Sequence, residues 1–171
     1  QITAQYPIRC TFVRDDAGDH LIDPHGVLLP QTDPLGSHTD CIVLASPHFA
    51  RPARPGQLWE GADIAAGISL LKVIYSKPWA KQIREIDLSA YNRDNSLALI
   101  TDKSSMILWG ASPGDAAPLE ATTSEKLHRL DLLFQTYRRI DANLSGTLDI
   151  TPQDGVFKLP DTTPNEPPAR P

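Results

Sequence analysis

Three short apolar runs joined by turns of a few polar residues leave the middle of this chain one arrangement. Ile86, Leu88 and Ala90 alternate with polar residues, Asn92-Arg93-Asp94-Asn95 turns the chain, and Leu97-Ala98-Leu99-Ile100 follows. A second polar turn leads into Met106-Ile107-Leu108-Trp109. Connections this short join strands that lie side by side and antiparallel. The centre of the sequence is thus predicted to be a three-stranded antiparallel unit, and the rest must pack around it.

A helical repeat stands on each side of that unit. Ile64, Ile68, Leu71 and Tyr75, with Ile74 added, share one face of a helix of about four turns, which Pro78 stops. Thr122 and Glu125 have capping-box spacing, and Leu127, Leu130, Phe134 and Tyr137 then mark the apolar face of a second helix ending in Arg138-Arg139. Earlier in the chain, apolar stretches over 8–13, 20–22 and 27–29 are separated by Asp15-Asp16-Ala17-Gly18 and Asp23-Pro24-His25-Gly26, which reads as a small β-meander. Cys41-Ile42-Val43-Leu44-Ala45 is a continuous apolar strand, the kind covered on both faces, and is expected at the centre of a sheet. Pro47, Pro52 and Pro55, with Arg51 and Arg54, form an extended connector behind it. Residues 147–150 and 156–159 supply the final strand material.

This order predicts an α+β domain, a largely antiparallel but mixed β-sheet with two main helices packed on one face. The domain is expected over residues 1–160, with the meander in 1–36, and residues 161–171 form a Pro-rich extended tail. A chain of 171 residues that is 40% hydrophobic and 22% charged has the means to build one such core. Sixteen Lys and Arg against 21 Asp and Glu give a net charge of -5, which provides no broad basic surface, so nucleic acid is not an expected partner. No run reaches the roughly 18 apolar residues of a membrane span, and the start lacks the pattern of a signal peptide. The opening lies within a strand approach and has no initiator Met, as expected of a piece of a longer protein whose anchor lies elsewhere. Cys10 and Cys41 are the only cysteines, and with no local pairing encoded they are expected to be two separate buried thiols rather than a bridge.

Enzymatic chemistry has little to stand on. His20, His25, His38, His48 and His128 are scattered, with none at helical or strand spacing from another ligand, and the sequence carries no nucleophile elbow, phosphate loop or dinucleotide fingerprint. No catalytic residue, cofactor or metal is therefore expected. One loop imitates a metal site: from Asp141 to Asp149 the oxygens alternate as in a calcium-binding EF-hand, and Gly146 stands at its sharp turn. The closing twelfth position is Pro152 instead of Glu, which favours a helix-to-strand turn over a calcium-binding domain using 141–149. Asn143-Leu144-Ser145 matches a glycosylation acceptor, a pattern too common to carry weight. Trp59, Trp79 and Trp109 are expected to seal the core rather than line a groove. The alternatives kept open are the calcium-binding domain and an unrecognised hydrolase assembled from distant residues.

Several short motifs in one order resemble the FtsQ/DivIB family of bacterial cell-division proteins. They are the meander from Gln5-Tyr6-Pro7-Ile8-Arg9 to Gly26-Val27-Leu28-Leu29-Pro30 with its Leu21-Ile22-Asp23-Pro24-His25-Gly26 turn, and the hairpin from Leu97-Ala98-Leu99-Ile100 to Ile107-Leu108-Trp109-Gly110. Glu125-Lys126-Leu127 with Arg129-Leu130, and the closing Leu148-Asp149-Ile150, continue the series. The resemblance implies the extracytoplasmic β domain of a single-pass inner-membrane protein, with the anchor and most of a preceding POTRA domain absent. It implies non-enzymatic scaffolding in the division machinery, with FtsB- and FtsL-like partners. Thr151-Pro152 stands where the family commonly has an Arg-Tyr pair, so the detailed partner contacts are expected to differ.

A scaffold without a catalytic pocket recognises its partner by surface, and the last strand has no successor to cover its outer edge. Asp154, Gly155, Val156, Phe157, Lys158 and Leu159 are therefore predicted to bind the partner by strand addition, with Val156, Phe157 and Leu159 as apolar anchors and Lys158 discouraging indiscriminate pairing. The competing reading has Val156 and Leu159 closing the core. Pro152 cannot donate to a ladder, so pairing is expected to begin only after it.

Overall fold

The computed structural model of the chain describes residues 11–38, 40–142 and 146–153. The meander forms as predicted: β1 (Thr11–Asp15), β2 (Gly18–Ile22) and β3 (Leu28–Asp33) pair antiparallel in sequence order. The apolar run gives β4 (Ile42–Ala45), all four residues buried, lying parallel to β1 on one side and to β5 (Ile83–Asp87) on the other. Burial on both faces is what lets β4 dispense with alternation. The tightly turned unit is β5, β6 (Leu97–Thr101) and β7 (Met106–Gly110), antiparallel throughout. A one-turn helix α2 (Tyr91–Asp94), closed by Asn95 at φ 51°, makes the first of its turns. β8 (Thr147–Asp149) adds parallel to β7.

The eight strands run in the order β3-β2-β1-β4-β5-β6-β7-β8. The long helices α1 (Ala62–Ile74) and α3 (Thr123–Tyr137) make the crossovers from β4 to β5 and from β7 to β8. Both crossovers move the same way across the sheet, so the right-handed rule places both helices on one face, as expected from the sequence. Packing agrees. Register aligns Val13, Leu44, Ile86, Leu99 and Ile107 in a row on that face. Gly67 of α1 brings its backbone against Leu44 and Leu88, so close that a side chain at 67 would press on both. At the other end Lys126 of α3 lies 5.2 Å above the Trp109 ring.

Three readings need correction. The apolar face of α1 is wider than its repeat, because Asp63, Ala66, Gly67 and Leu70 are buried as well. The connector covers this side, and the Asp63 carboxylate accepts the His48 amide at 2.7 Å. In α3 the buried stripe is Lys126, Leu130 and Leu133, while Leu127, Phe134 and Tyr137 flank it half-buried, and the helix stops at Tyr137, just short of the two arginines, with Arg138 left-handed at φ 60°. Third, Cys41 is disulfide-bonded rather than a free thiol; Cys10, the chain's other cysteine, lies outside the described residues.

The three tryptophans are in the core, none more than 1% exposed, and each indole N–H finds an acceptor: the Phe49 carbonyl, Asp131 Oδ1 and the Ala111 carbonyl. The bridge at Cys41 carries its own prediction. Reductant should lower the melting temperature by roughly 5–15 °C, since a native disulfide contributes typically ~2–4 kcal/mol. Calorimetric scans with and without reductant check this, and superimposable scans would show that the bridge adds nothing to stability.

Candidate functional site

A surface that recruits another chain through its backbone needs a strand with one side unpaired, and the sheet has two ends to supply it. The β3 end is blunted. Leu28 exchanges backbone bonds with the loop at Gln57 and Gly56, Val27 bridges Leu58, and Pro30 within β3 offers no N–H. At the other end, among the described residues, no strand lies beyond β8.

What holds β8 in place can be followed from the sequence. Behind the left-handed Arg138, Ile140 is buried and the Asp141 carboxylate accepts the Thr101 hydroxyl at 2.6 Å and Arg139 Nε at 2.7 Å. Arg139 also reaches Asp102. Burial pushes the Asp141 carboxyl up, but the Arg139 guanidinium and the Thr101 hydroxyl outweigh it and hold it below the usual carboxylate range. The first residue of the EF-hand-like loop thus has both oxygens engaged in joining α3 to the β6–β7 turn. Residues 143–145 of that loop lie outside the described residues; Gly146, at φ 118°, then delivers the chain into β8.

Directly after β8 the Ile150 N–H donates to the Leu108 carbonyl, so by alternation the main-chain groups of Thr147 and Asp149 face away from β7. Arg129 of α3 donates to the Ile150 carbonyl at 2.8 Å. Asp149 Oδ1 accepts from the Thr151 amide and hydroxyl, which bends the chain out of the strand. Residues 151–153 then run beside 119–121: Ala121 N–H donates to the Thr151 carbonyl at 2.7 Å and Gln153 N–H to the Leu119 carbonyl at 2.9 Å. Pro152 faces Glu120 between these two bonds, where neither residue of the pair has to donate. The chain thus pairs with itself across Pro152, because a proline at a non-hydrogen-bonded position leaves the flanking bonds intact; the partner pairing expected beyond Pro152 falls on 154–159, outside the described residues.

The segment 119–121 escaped sequence reading, and a buried ion pair fixes it. Gly110, at φ 85°, ends β7 in a conformation suited to glycine, and a Cβ there would collide with the Glu120 carboxylate. That carboxylate accepts the Ala111 and Ala117 amides and Lys126 Nζ at 2.5 Å, with the Lys126 and Glu120 side chains only 2% and 10% exposed. Burial pushes Glu120 up, yet the lysine and the two amides hold it below the ordinary glutamate range. Trp109-Gly110 and Glu125-Lys126-Leu127, two of the motifs behind the family resemblance, thus meet in one structural lock. The available signal was Glu120 standing six residues before a lysine on the apolar side of a capped helix.

The predicted partner residues Asp154, Gly155, Val156, Phe157, Lys158 and Leu159 lie outside the described residues. So does the Pro-rich tail over 161–171. Among the described residues no three His, Cys, Asp or Glu side chains are grouped to hold a metal ion, and no helix is long and apolar enough to cross a membrane.

No family model matches the sequence, and no curated protein matches it. Among solved structures the chain is similar to the major extracytoplasmic domain of the trans isomer of the bacterial cell-division protein DivIB from Geobacillus stearothermophilus. The two are 16% identical with a TM-score of 0.39, over 58% of this chain and 75% of that one. A likeness this slight carries no conclusion about function.

Proposed function

We propose that this chain is a non-enzymatic, extracytoplasmic scaffold domain of the bacterial division machinery that binds a partner segment along the β8 edge. The observation that carries the reading is the position of β8 at the end of the sheet among the described residues, with the main-chain groups of Thr147 and Asp149 turned away from β7. Strand addition takes its affinity from such groups and its specificity from alternate side chains, here exposed Thr147 and Asp149 beside half-buried Leu148. Two further observations support the assignment. Apart from the N-terminal meander, the motifs of the FtsQ/DivIB resemblance fall on the hairpin, the lock and the edge strand that build this end of the molecule. The disulfide at Cys41 suits an oxidising compartment outside the cytoplasm. Anchoring by a single membrane helix outside this sequence and FtsB- or FtsL-like partners belong to the same proposal.

Hydrogen exchange of the whole chain, with and without an FtsB-type extracytoplasmic peptide, tests it. The Thr147 and Asp149 amides should gain protection on binding. Thr147→Pro, which removes an outward N–H at the first residue of the strand, should weaken binding at least about tenfold while leaving the melt unchanged. Protection appearing on another element, or undiminished binding by Thr147→Pro, would remove the β8 edge from consideration.

A further inference from the structure

His20 is the fully buried histidine of the described residues, and three elements converge on its ring. Its Nε2 lies 2.7 Å from Asp15 Oδ1 of β1, and its Nδ1 lies 3.0 Å from Thr32 Oγ1 of β3 and 3.3 Å from Arg51 Nη1 of the connector. Arg51 also approaches Asp15 Oδ2 with its Nε at 3.4 Å. The indole of Trp59 closes the site at 6.0 Å between ring centroids. The charged groups facing the ring are therefore one carboxylate and one guanidinium, and Thr32 and Trp59 are neutral.

These contacts fix the tautomer. A guanidinium can only donate, so the Nδ1 facing Arg51 must present its lone pair, and the single proton sits on Nε2, donated to Asp15. A second proton has different consequences for each neighbour. The Asp15 bond persists and gains full opposite charge. The Thr32 hydroxyl rotates from donor to acceptor. Arg51 has no such option, because its N–H then faces an N–H and its charge faces a like charge in a desolvated site.

We infer that His20 is a proton-operated latch for the connector between β4 and α1: the neutral ring holds Arg51, and the doubly protonated ring releases it. Arg51 is free to leave, since its side chain is 38% exposed and borders an open cleft of about 670 Å³ lined also by Leu35, Pro47 and Phe49. The displacement stays local. His48 remains tied through its amide to Asp63, Phe49 through its carbonyl to Trp59, and Gly56 through its amide to Leu28. Leu35 and Phe49, two exposed large apolar side chains, line the same cleft, which lies at the end of the sheet remote from β8. The latch does not depend on the partner-binding reading, and the two stand or fall separately.

Nitrogen-15 NMR of the histidine rings and arginine side chains in the whole chain, titrated from about pH 8 to about pH 5, tests it. At the upper end the His20 ring should show its proton on Nε2. As the ring gains its second proton, the Arg51 Nε–H should exchange with water at least about tenfold faster after correction for pH, while Arg54, exposed on the same connector, should not change. A ring protonated on Nδ1 at the upper end would overturn the proposal. So would Arg51 exchange that follows Arg54 throughout, or a ring that stays neutral until the domain unfolds.

Discussion

Replacing Lys126 with Ala is expected to destabilise the domain by about 3–5 kcal/mol, the cost of leaving one member of a buried ion pair without its partner. Glu120 would keep the Ala111 and Ala117 amides but lose the only cation that reaches it among the described residues. The lost methylenes also uncover Trp109, over which the lysine lies. Lys126→Met separates these effects, since it retains the packing and removes only the charge. Combining Lys126→Met with Glu120→Gln should recover much of the loss, because no buried charge is then left unmatched. Denaturant melts of the three variants decide the matter, and equal stability of Lys126→Ala and wild type would show that the pair is not a lock.

The sign of the pH dependence follows from the same pair. The folded-state pKa of Glu120 lies below its ordinary 4.5, so its stabilisation is complete above that value and is lost as the pH falls through the lower, folded value. Wild type should therefore lose stability on acidification more steeply than the Lys126→Met, Glu120→Gln double variant.

Elements with a strict period or a short turn could be read from the sequence. The β5–β7 unit, the capped start of α3 and the buried run of β4 follow from alternation, capping-box spacing and continuous apolarity, each of which is local. Errors arose where a distant segment decides. Lys126 stands outside the apolar repeat of α3, and its burial depends on Glu120 at the helix's approach. Asp63 lies at the start of α1 and is buried only because the connector folds over it. Cys41 carries no local mark of its bridge. The β8 edge shows the same limit. Chain order pointed to 154–159 as the edge strand, which lies outside the described residues, and the pairing of 151–153 with 119–121 across Pro152 depended on hydrogen-bond phase, which a sequence does not display.

Leu130→Ala should cost about 2–5 kcal/mol, as for other large-to-small changes where the surroundings cannot collapse into the space. Leu130 is fully buried on the stripe of α3 that faces the sheet. Its neighbours separate two descriptions of that helix. The sequence repeat centres the apolar face on Leu127, Leu130, Phe134 and Tyr137, and on that description Leu127→Ala should match Leu130→Ala. The structure centres it on Lys126, Leu130 and Leu133, with Leu133 fully buried and Leu127 at the margin. Leu133→Ala should then be as damaging as Leu130→Ala, and Leu127→Ala clearly milder, because a half-buried side chain leaves a space that water or a neighbour can fill. The reverse order of Leu127 and Leu133 in denaturant melts would mean that α3 is rotated toward its sequence face. Such a rotation would swing Lys126 away from Glu120, so the ranking of two leucines also tests the geometry of the lock.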